Sequence, residues 1–184
     1  MRKLLVLIGI FTFLLSCNEP EPRRPIKART ASFFKETIKR NKELLAKEEG
    51  LIRDLIKKDT LHRYHSTTKG SWYYYDQEAT DQDYTPQTDD LVTLTYNMVT
   101  FSNDTIYTAE EIGMQRYKVD KQQLFPGLRN SVKILKEGET ATFLYPSSLV
   151  YGYHGDEKKI GPNTPIKSTL TILKIEKQQD SIQQ

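Results

Sequence analysis

Two stretches in the second half of the chain alternate apolar and polar residues: "TATFLYP" (140–146) and "PIKSTLTILKIEK" (165–177). A period of two is the signature of a strand with one buried face. The same rhythm appears in "SWYYYDQ" (71–77), "DLVTLTYNMVTF" (90–101) and "MQRYKVDKQ" (114–122). "SND" (102–104) reads as a turn, and "TIYTAEE" (105–111) reads as the strand that returns from it. Between these segments "FPGLRNSVKIL" (125–135) changes period. Leu128, Val132 and Leu135 share a helical face after a Pro-Gly entry, and "KEGE" (136–139) turns the chain back. The pattern predicts an α+β domain over 70–177, with five or six antiparallel strands forming a curved sheet on one short helix. A polar tail covers 178–184.

Ahead of this domain, 32–62 reads as a helical unit, with the helix itself over 32–59. Ser32 can cap its start. Phe34, Ile38, Leu45, Ile52, Leu55 and Ile56 recur at roughly helical spacing between Lys and Glu, with Gly50 as a weak point. Two readings stand: a helix packed on its own domain, or a stalk for homodimerisation or client binding. "HRYH" (62–65) places two histidines three apart with no cysteine or acidic ligand at a matching spacing, so it reads as a helix end and linker rather than a metal site.

The first residues follow a different logic. Arg2 and Lys3 precede an apolar run from Leu4 to Leu15. That run is short of the roughly 20 residues a membrane span needs, and it fits a signal peptide over 1–16. "LLSC" (14–17) resembles a bacterial lipobox, which implies cleavage before Cys17 and lipidation of that cysteine. Cys17 is the only cysteine in the chain, so the mature protein carries no disulfide and depends on packing for stability. Residues 17–31, with Pro-rich "NEPEPRRPIKARTA", read as an extended tether from the anchor. The net charge is +3, from 27 Lys and Arg against 24 Asp and Glu, with no long block of one sign, which argues against a nucleic-acid partner.

The loop "SSLVYGYHGDEKKIGPNTPI" (147–166) is unusual for a connector, because it carries Tyr151, Tyr153 and His154 on a glycine hinge and an aliphatic at Ile160. With "VTLTY" (92–96), "FPGLRNSVKILKEGETATFLYP" (125–146), "VYGYHG" (150–155), "IGPNTPI" (160–166) and "LTILKIE" (170–176), the second half resembles an FKBP-type peptidyl-prolyl isomerase. Together with the lipobox it most resembles the gliding-motility-associated prolyl isomerase lipoproteins of Bacteroidetes. The resemblance implies an enzyme without cofactor or metal that acts on X–Pro bonds of unfolded or exported proteins. It also implies an envelope location, lipid-anchored and facing the periplasm. Asn18 after Cys17 favours the outer membrane over the inner. The alternative is a binding module or holdase with the same fold, serving an envelope machine.

Carried over by that resemblance, Tyr151 donates its hydroxyl to a substrate carbonyl, Leu128 forms the floor under the proline ring, and the Phe125 N–H holds a second carbonyl. Tyr96, Leu124 and Ile160 line the walls and rim. Tyr107 stands where the family has a pocket Phe if the "SND" turn holds one extra residue, and Ile106 does otherwise, with Tyr117 as a supporting aromatic. Thr108 stands where the family often has Asp, and Ser168 where it has an aromatic. These departures point to weaker or narrower activity. The competing reading makes Tyr96, Leu128 and Ile160 plain core residues. Tyr151 resists it, because a Tyr between Val150 and Gly152 in a polar loop is poorly placed for burial.

The lipobox reading makes Cys17 indispensable for anchoring. Cys17→Ala is expected to abolish fatty-acid labelling and to leave the protein in the soluble fraction or as uncleaved precursor.

Overall fold

The computed structural model describes residues 27–81 and 83–178, with helix side chains from Phe33 onward. The stretch read as a signal peptide, Cys17, the expected tether up to residue 26 and the tail from residue 179 lie outside the described residues. The first element, α1, spans Lys27–Lys58. It is already helical at Lys27, so Ser32 is an interior position rather than its cap, and the last residues assigned to an extended tether are helix instead. The chain divides into two compact units, one up to Lys39 and one from Arg40 onward. In the first, Phe33, Phe34 and Ile38 are exposed. In the second, Glu48 and Ile52 are buried. The apolar stripe therefore serves two environments along one helix. Gly50 does not break it, because tertiary burial on both sides outweighs a local penalty of about 1 kcal/mol.

The remaining elements form an antiparallel sheet. They are β1 (His65–Ser66), β2 (Trp72–Gln77), β3 (Leu91–Tyr96), β4 (Met98–Val99), β5 (Thr105–Tyr107), β6 (Gln115–Lys118), β7 (Thr140–Tyr145) and β8 (Ile166–Glu176). The main order is β1-β2-β7-β8-β3-β6, with β4 joining β8 to β5. Five of the strands have four residues or more, within the five or six expected, and the other three are short. One expectation needs correction. Only Thr105–Tyr107 of "TIYTAEE" is strand, and Ala109–Ile112 forms a single helical turn, α2. Thr108 caps it by accepting from the Glu111 N–H, while the Glu111 side chain accepts from the Thr108 N–H. This reciprocal cap is a local signal strong enough to end the strand.

In β8 the alternation holds from Ile166 to Ile172, with Ile166, Ser168, Leu170 and Ile172 fully buried. The short helix α3 (Pro126–Val132) follows the Pro-Gly entry and places Leu128, Ser131 and Val132 in the core with Phe143, Tyr145 and Leu170. Ser131 and Tyr145 hydroxyls hydrogen-bond at 2.7 Å, satisfying two buried polar groups at once. Gly127 has no room for a side chain, since a Cβ there would lie 2.7 Å from the Tyr145 ring. Helix and sheet therefore meet at backbone distance.

Residues of the other sheet face, Tyr74, Leu144 and Lys167, share a hollow with Leu55 and Asp59 at the end of α1. His62 stacks on Tyr74 with ring centroids 4.0 Å apart. Asp59 organises this exit from the helix. Its Oδ1 accepts from the N–H groups of Leu61 and His62, and its Oδ2 accepts from His62 Nδ1 and the Tyr64 hydroxyl. The His62 hydrogen bond, helped by those of Leu61 and Tyr64, outweighs burial and lowers the Asp59 pKa from 3.8 to about 2.

A carboxylate with a depressed folded pKa stabilises the fold above its unfolded pKa, and that contribution is lost as the pH falls through the folded value. Asp59→Asn is therefore expected to lower the melting temperature at neutral pH. The gap from wild type should close as the pH falls from 3.8 toward about 2, as read by melting curves across that range.

Candidate functional site

The loop after β7 is built around one carbonyl. Ser147–Leu149 form a single 3-10 turn, and the N–H groups of Val150 and Gly152 both donate to the Ser147 carbonyl at 2.9 Å. Two bonds from the residues flanking Tyr151 to one oxygen fix the backbone that carries it. The loop then reverses at Gly155, where φ is +73° and a Cβ would lie 2.3 Å from the Ile160 carbonyl oxygen, so only glycine fits. Asp156 closes the reversal. Its N–H donates to the Ile160 carbonyl at 3.0 Å. Its carboxylate accepts from the N–H groups of Lys158 and Ile160 at 2.9 and 2.7 Å, and from the Tyr107 hydroxyl at 2.5 Å.

Two hollows share Tyr96 and Tyr151. One, of about 370 Å³, is lined by Tyr96, Gln123, Leu124, Phe125, Val150 and Tyr151. The other, of about 270 Å³, is lined by Tyr96, Met98, Tyr107, Ile112, Tyr151 and Asp156, with Lys158 beside them. Phe125, at the cap of α3, is the hub of the aromatic wall. Its ring centroid lies 6.1 Å from Tyr96, 5.6 Å from Tyr145 and 5.9 Å from Tyr151. The Phe125 N–H and the Tyr151 hydroxyl have no hydrogen-bond partners among the described residues.

Burial, and then the neighbouring Tyr151, push the Tyr96 hydroxyl up to about 12. Burial, and then the charge of Asp156, raise Tyr151. Both remain protonated donors at neutral pH. Burial pushes Asp156 upward, but the hydrogen bonds from Tyr107 and the loop N–H groups win, and its pKa falls below the usual 3.8. Tyr107 shifts in the opposite sense, raised chiefly by that same bond to Asp156. The Lys159 ammonium lies 4.7 Å from the Tyr107 ring centroid and pairs with Glu111 at 2.8 Å, tying the loop to α2.

Of the residues singled out in the sequence, Tyr96, Leu124, Phe125 and Tyr151 come together on one hollow, and Tyr107 joins Tyr96 and Tyr151 on the other. Tyr107, not Ile106, faces the hollow. Leu128 is fully buried and Ile160 is 3% exposed; both belong to the core cluster and line neither hollow. Tyr117 is also buried in the core. Ser168 donates to the Asn97 carbonyl at 2.6 Å, so it ties β8 to the end of β3. Met98, Ile112, Gln123, Val150, Asp156 and Lys158 also line the hollows and are not among the site residues expected from the sequence. Asp156 had a signal in the sequence: it is an acid directly after a hinge glycine, five residues beyond Tyr151. No acid stands at Thr108, yet a carboxylate reaches the same wall from the loop.

A family model described as FKBP-type peptidyl-prolyl cis-trans isomerase matches residues 82–173, half of the chain. The chain is 29% identical over 149 residues to a protein named probable FKBP-type peptidyl-prolyl cis-trans isomerase FkpA, from Neisseria meningitidis serogroup B. That alignment takes in 81% of this chain and 52% of the other, so the chain spans about half the length of that relative. Among solved structures it is similar to FkpA from Escherichia coli, with a TM-score of 0.58, 16% identity, and coverage of 96% of this chain and 82% of that one. It is also similar to a peptidyl-prolyl cis-trans isomerase from Pseudomonas syringae pv. tomato, with a TM-score of 0.57, 14% identity, and coverage of 74% and 96%. At these identities the structures speak for the fold: an FKBP-like antiparallel sheet with a short helix, preceded by a long N-terminal helix.

The Tyr107–Asp156 bond can be tested directly. Tyr107→Phe is expected to raise the Asp156 pKa toward 3.8, because the hydroxyl that holds it down is gone. A titration of the Asp156 carboxyl carbon by NMR in both proteins measures the shift.

Proposed function

We propose that this chain, which belongs to the FKBP-type peptidyl-prolyl cis-trans isomerase family, rotates X–Pro bonds in exported polypeptides and so assists their folding. The barrier to that rotation is about 18–20 kcal/mol, because the amide must give up its resonance to twist. No covalent chemistry is required. An apolar surround that strips water from the amide, with donors placed for the twisted geometry, lowers the barrier. A saving of about 5–8 kcal/mol corresponds to roughly 10⁴- to 10⁶-fold.

The observation that carries this reading is the pair of unpartnered donors, the Tyr151 hydroxyl and the Phe125 N–H, on one hollow walled by Tyr96, Leu124 and Phe125. Tyr151 and Phe125 hold substrate carbonyls, and Tyr96, Leu124 and Tyr107 grip the proline and its neighbour. Leu128 and Ile160 support that surface from within the core.

The exposed Phe33, Phe34 and Ile38 on α1 favour a second role beside catalysis, as a surface for unfolded clients or for a homodimer. The resemblance of "LLSC" to a lipobox supports an envelope location, with the protein anchored through Cys17 and facing the periplasm, and Asn18 favours the outer membrane. The narrower place among gliding-motility-associated isomerase lipoproteins has the pairing of "LLSC" with this domain as its support.

Tyr151→Phe keeps the ring and removes the donor. Its expected cost is about 1–1.5 kcal/mol in the transition state, or roughly tenfold in kcat/KM on X–Pro peptides, with melting unchanged. Leu128→Ala should act instead on stability, by about 2–5 kcal/mol, because the residue is fully buried. Unchanged catalysis with lowered melting in Tyr151→Phe would make Tyr151 a structural residue and remove the main support for the isomerase reading.

A further inference from the structure

Glu48 lies on the part of α1 that belongs to the unit beginning at Arg40, and it is only 3% exposed. Its Oε2 accepts from the N–H of Ser147 at 2.9 Å. Its Oε1 is the one buried side-chain N or O atom without a hydrogen-bond partner among the described residues. A buried carboxylate with one oxygen unsatisfied is a poor choice for packing alone. Ile52, one turn along the same helix, is fully buried and shows what packing would choose here. What Glu48 does hold is Ser147. The 3-10 turn that Ser147 begins has no side-chain cap of its own, because Pro146 precedes it. Glu48 supplies that cap from a helix 99 residues away in sequence.

The bond leads straight to the candidate site. Glu48 fixes the Ser147 N–H, and the Ser147 carbonyl holds the N–H groups of Val150 and Gly152 on either side of Tyr151. Gly152 is held in turn through its carbonyl by the Asn163 N–H at 2.7 Å. Around Glu48, a cleft of about 120 Å³ between Leu44, Leu45, Ser148 and Tyr153 leaves the turn room to move if its cap is lost. We infer that Glu48 is a positioning residue that sets the Tyr151-bearing turn, so that the helix completes the site. This rests on the isomerase reading for its effect on rate, but not for its effect on the turn.

Three variants test it. Glu48→Gln keeps a carbonyl oxygen for the Ser147 N–H. Glu48→Met has similar length and no acceptor. Ile52→Ala loosens the same helix without touching the bond. Glu48→Met is expected to lose about tenfold in kcat/KM, while Glu48→Gln stays within about twofold of wild type. Ile52→Ala is expected to melt earlier but to keep its kcat/KM well below its melting point. Amide exchange at Val150 and Gly152 should accelerate in Glu48→Met and stay unchanged in Ile52→Ala. Wild-type exchange at those amides in Glu48→Met would overturn the inference, and so would a Glu48→Gln variant as impaired as Glu48→Met. If wild type itself shows no isomerase activity, the functional reading fails while amide exchange still decides the role of Glu48.

Discussion

The fold depends on strand β8. It pairs with β7 along one edge and with β3 and β4 along the other, so it satisfies the backbone groups of three neighbours at once. Its alternation sends Ile166, Ser168, Leu170 and Ile172 into the core and leaves the opposite face for other partners. With this strand in register, Phe143 and Tyr145 on β7 face the same core and receive α3. A slip of one residue would expose the isoleucines and bury the lysines, which is why no other register competes.

The site inherits its precision from that frame. β7 ends at Tyr145, and the loop leaves from Pro146 already anchored by a ring stacked in the core. α3 begins at Pro126, which can occupy the first helical position, and this puts the ring of its cap residue Phe125 between Tyr96 and Tyr151. The hollow is thus framed by three elements far apart in sequence, each ending where the core ends. Asp156 adds rigidity on the loop side, since one carboxylate collects two loop N–H groups and the Tyr107 hydroxyl.

Much of this was legible beforehand because it is local. The strands around "TATFLYP" and "STLTILKIE", the helix at "PGLRNSV" and the cluster of Tyr96, Leu124, Phe125 and Tyr151 follow from periodicity and from motif resemblance. The failures have local causes as well. "TIYTAEE" has the β-propensity of one strand, but the reciprocal Thr108–Glu111 cap turns its second half into a helical turn. Ser32 looked like a helix start because a polar residue before an apolar one imitates a cap, yet the helix is already running at Lys27. The resemblance implies pocket roles for Leu128 and Ile160, and the structure buries both in the core behind the hollows, a placement that no local motif encodes.

The amino-acid order by itself determined which segments form the long strands and the short helix, and the presence of a tyrosine-bearing glycine loop, because these are governed by propensities and periods acting over a few residues, while the strand pairing and its bulges came with the sheet. Only the tertiary structure decided the fate of the long helix, with Phe34, Ile38 and Leu45 exposed and Ile52 buried within one apolar stripe, and the charged Glu48 buried beside it. It alone placed Asp156 against Tyr107, 49 residues apart, and Glu48 against Ser147. Those contacts depend on which surfaces the folded sheet brings together. A hydrogen bond specific to within a few tenths of an ångström leaves no period in the sequence to be read.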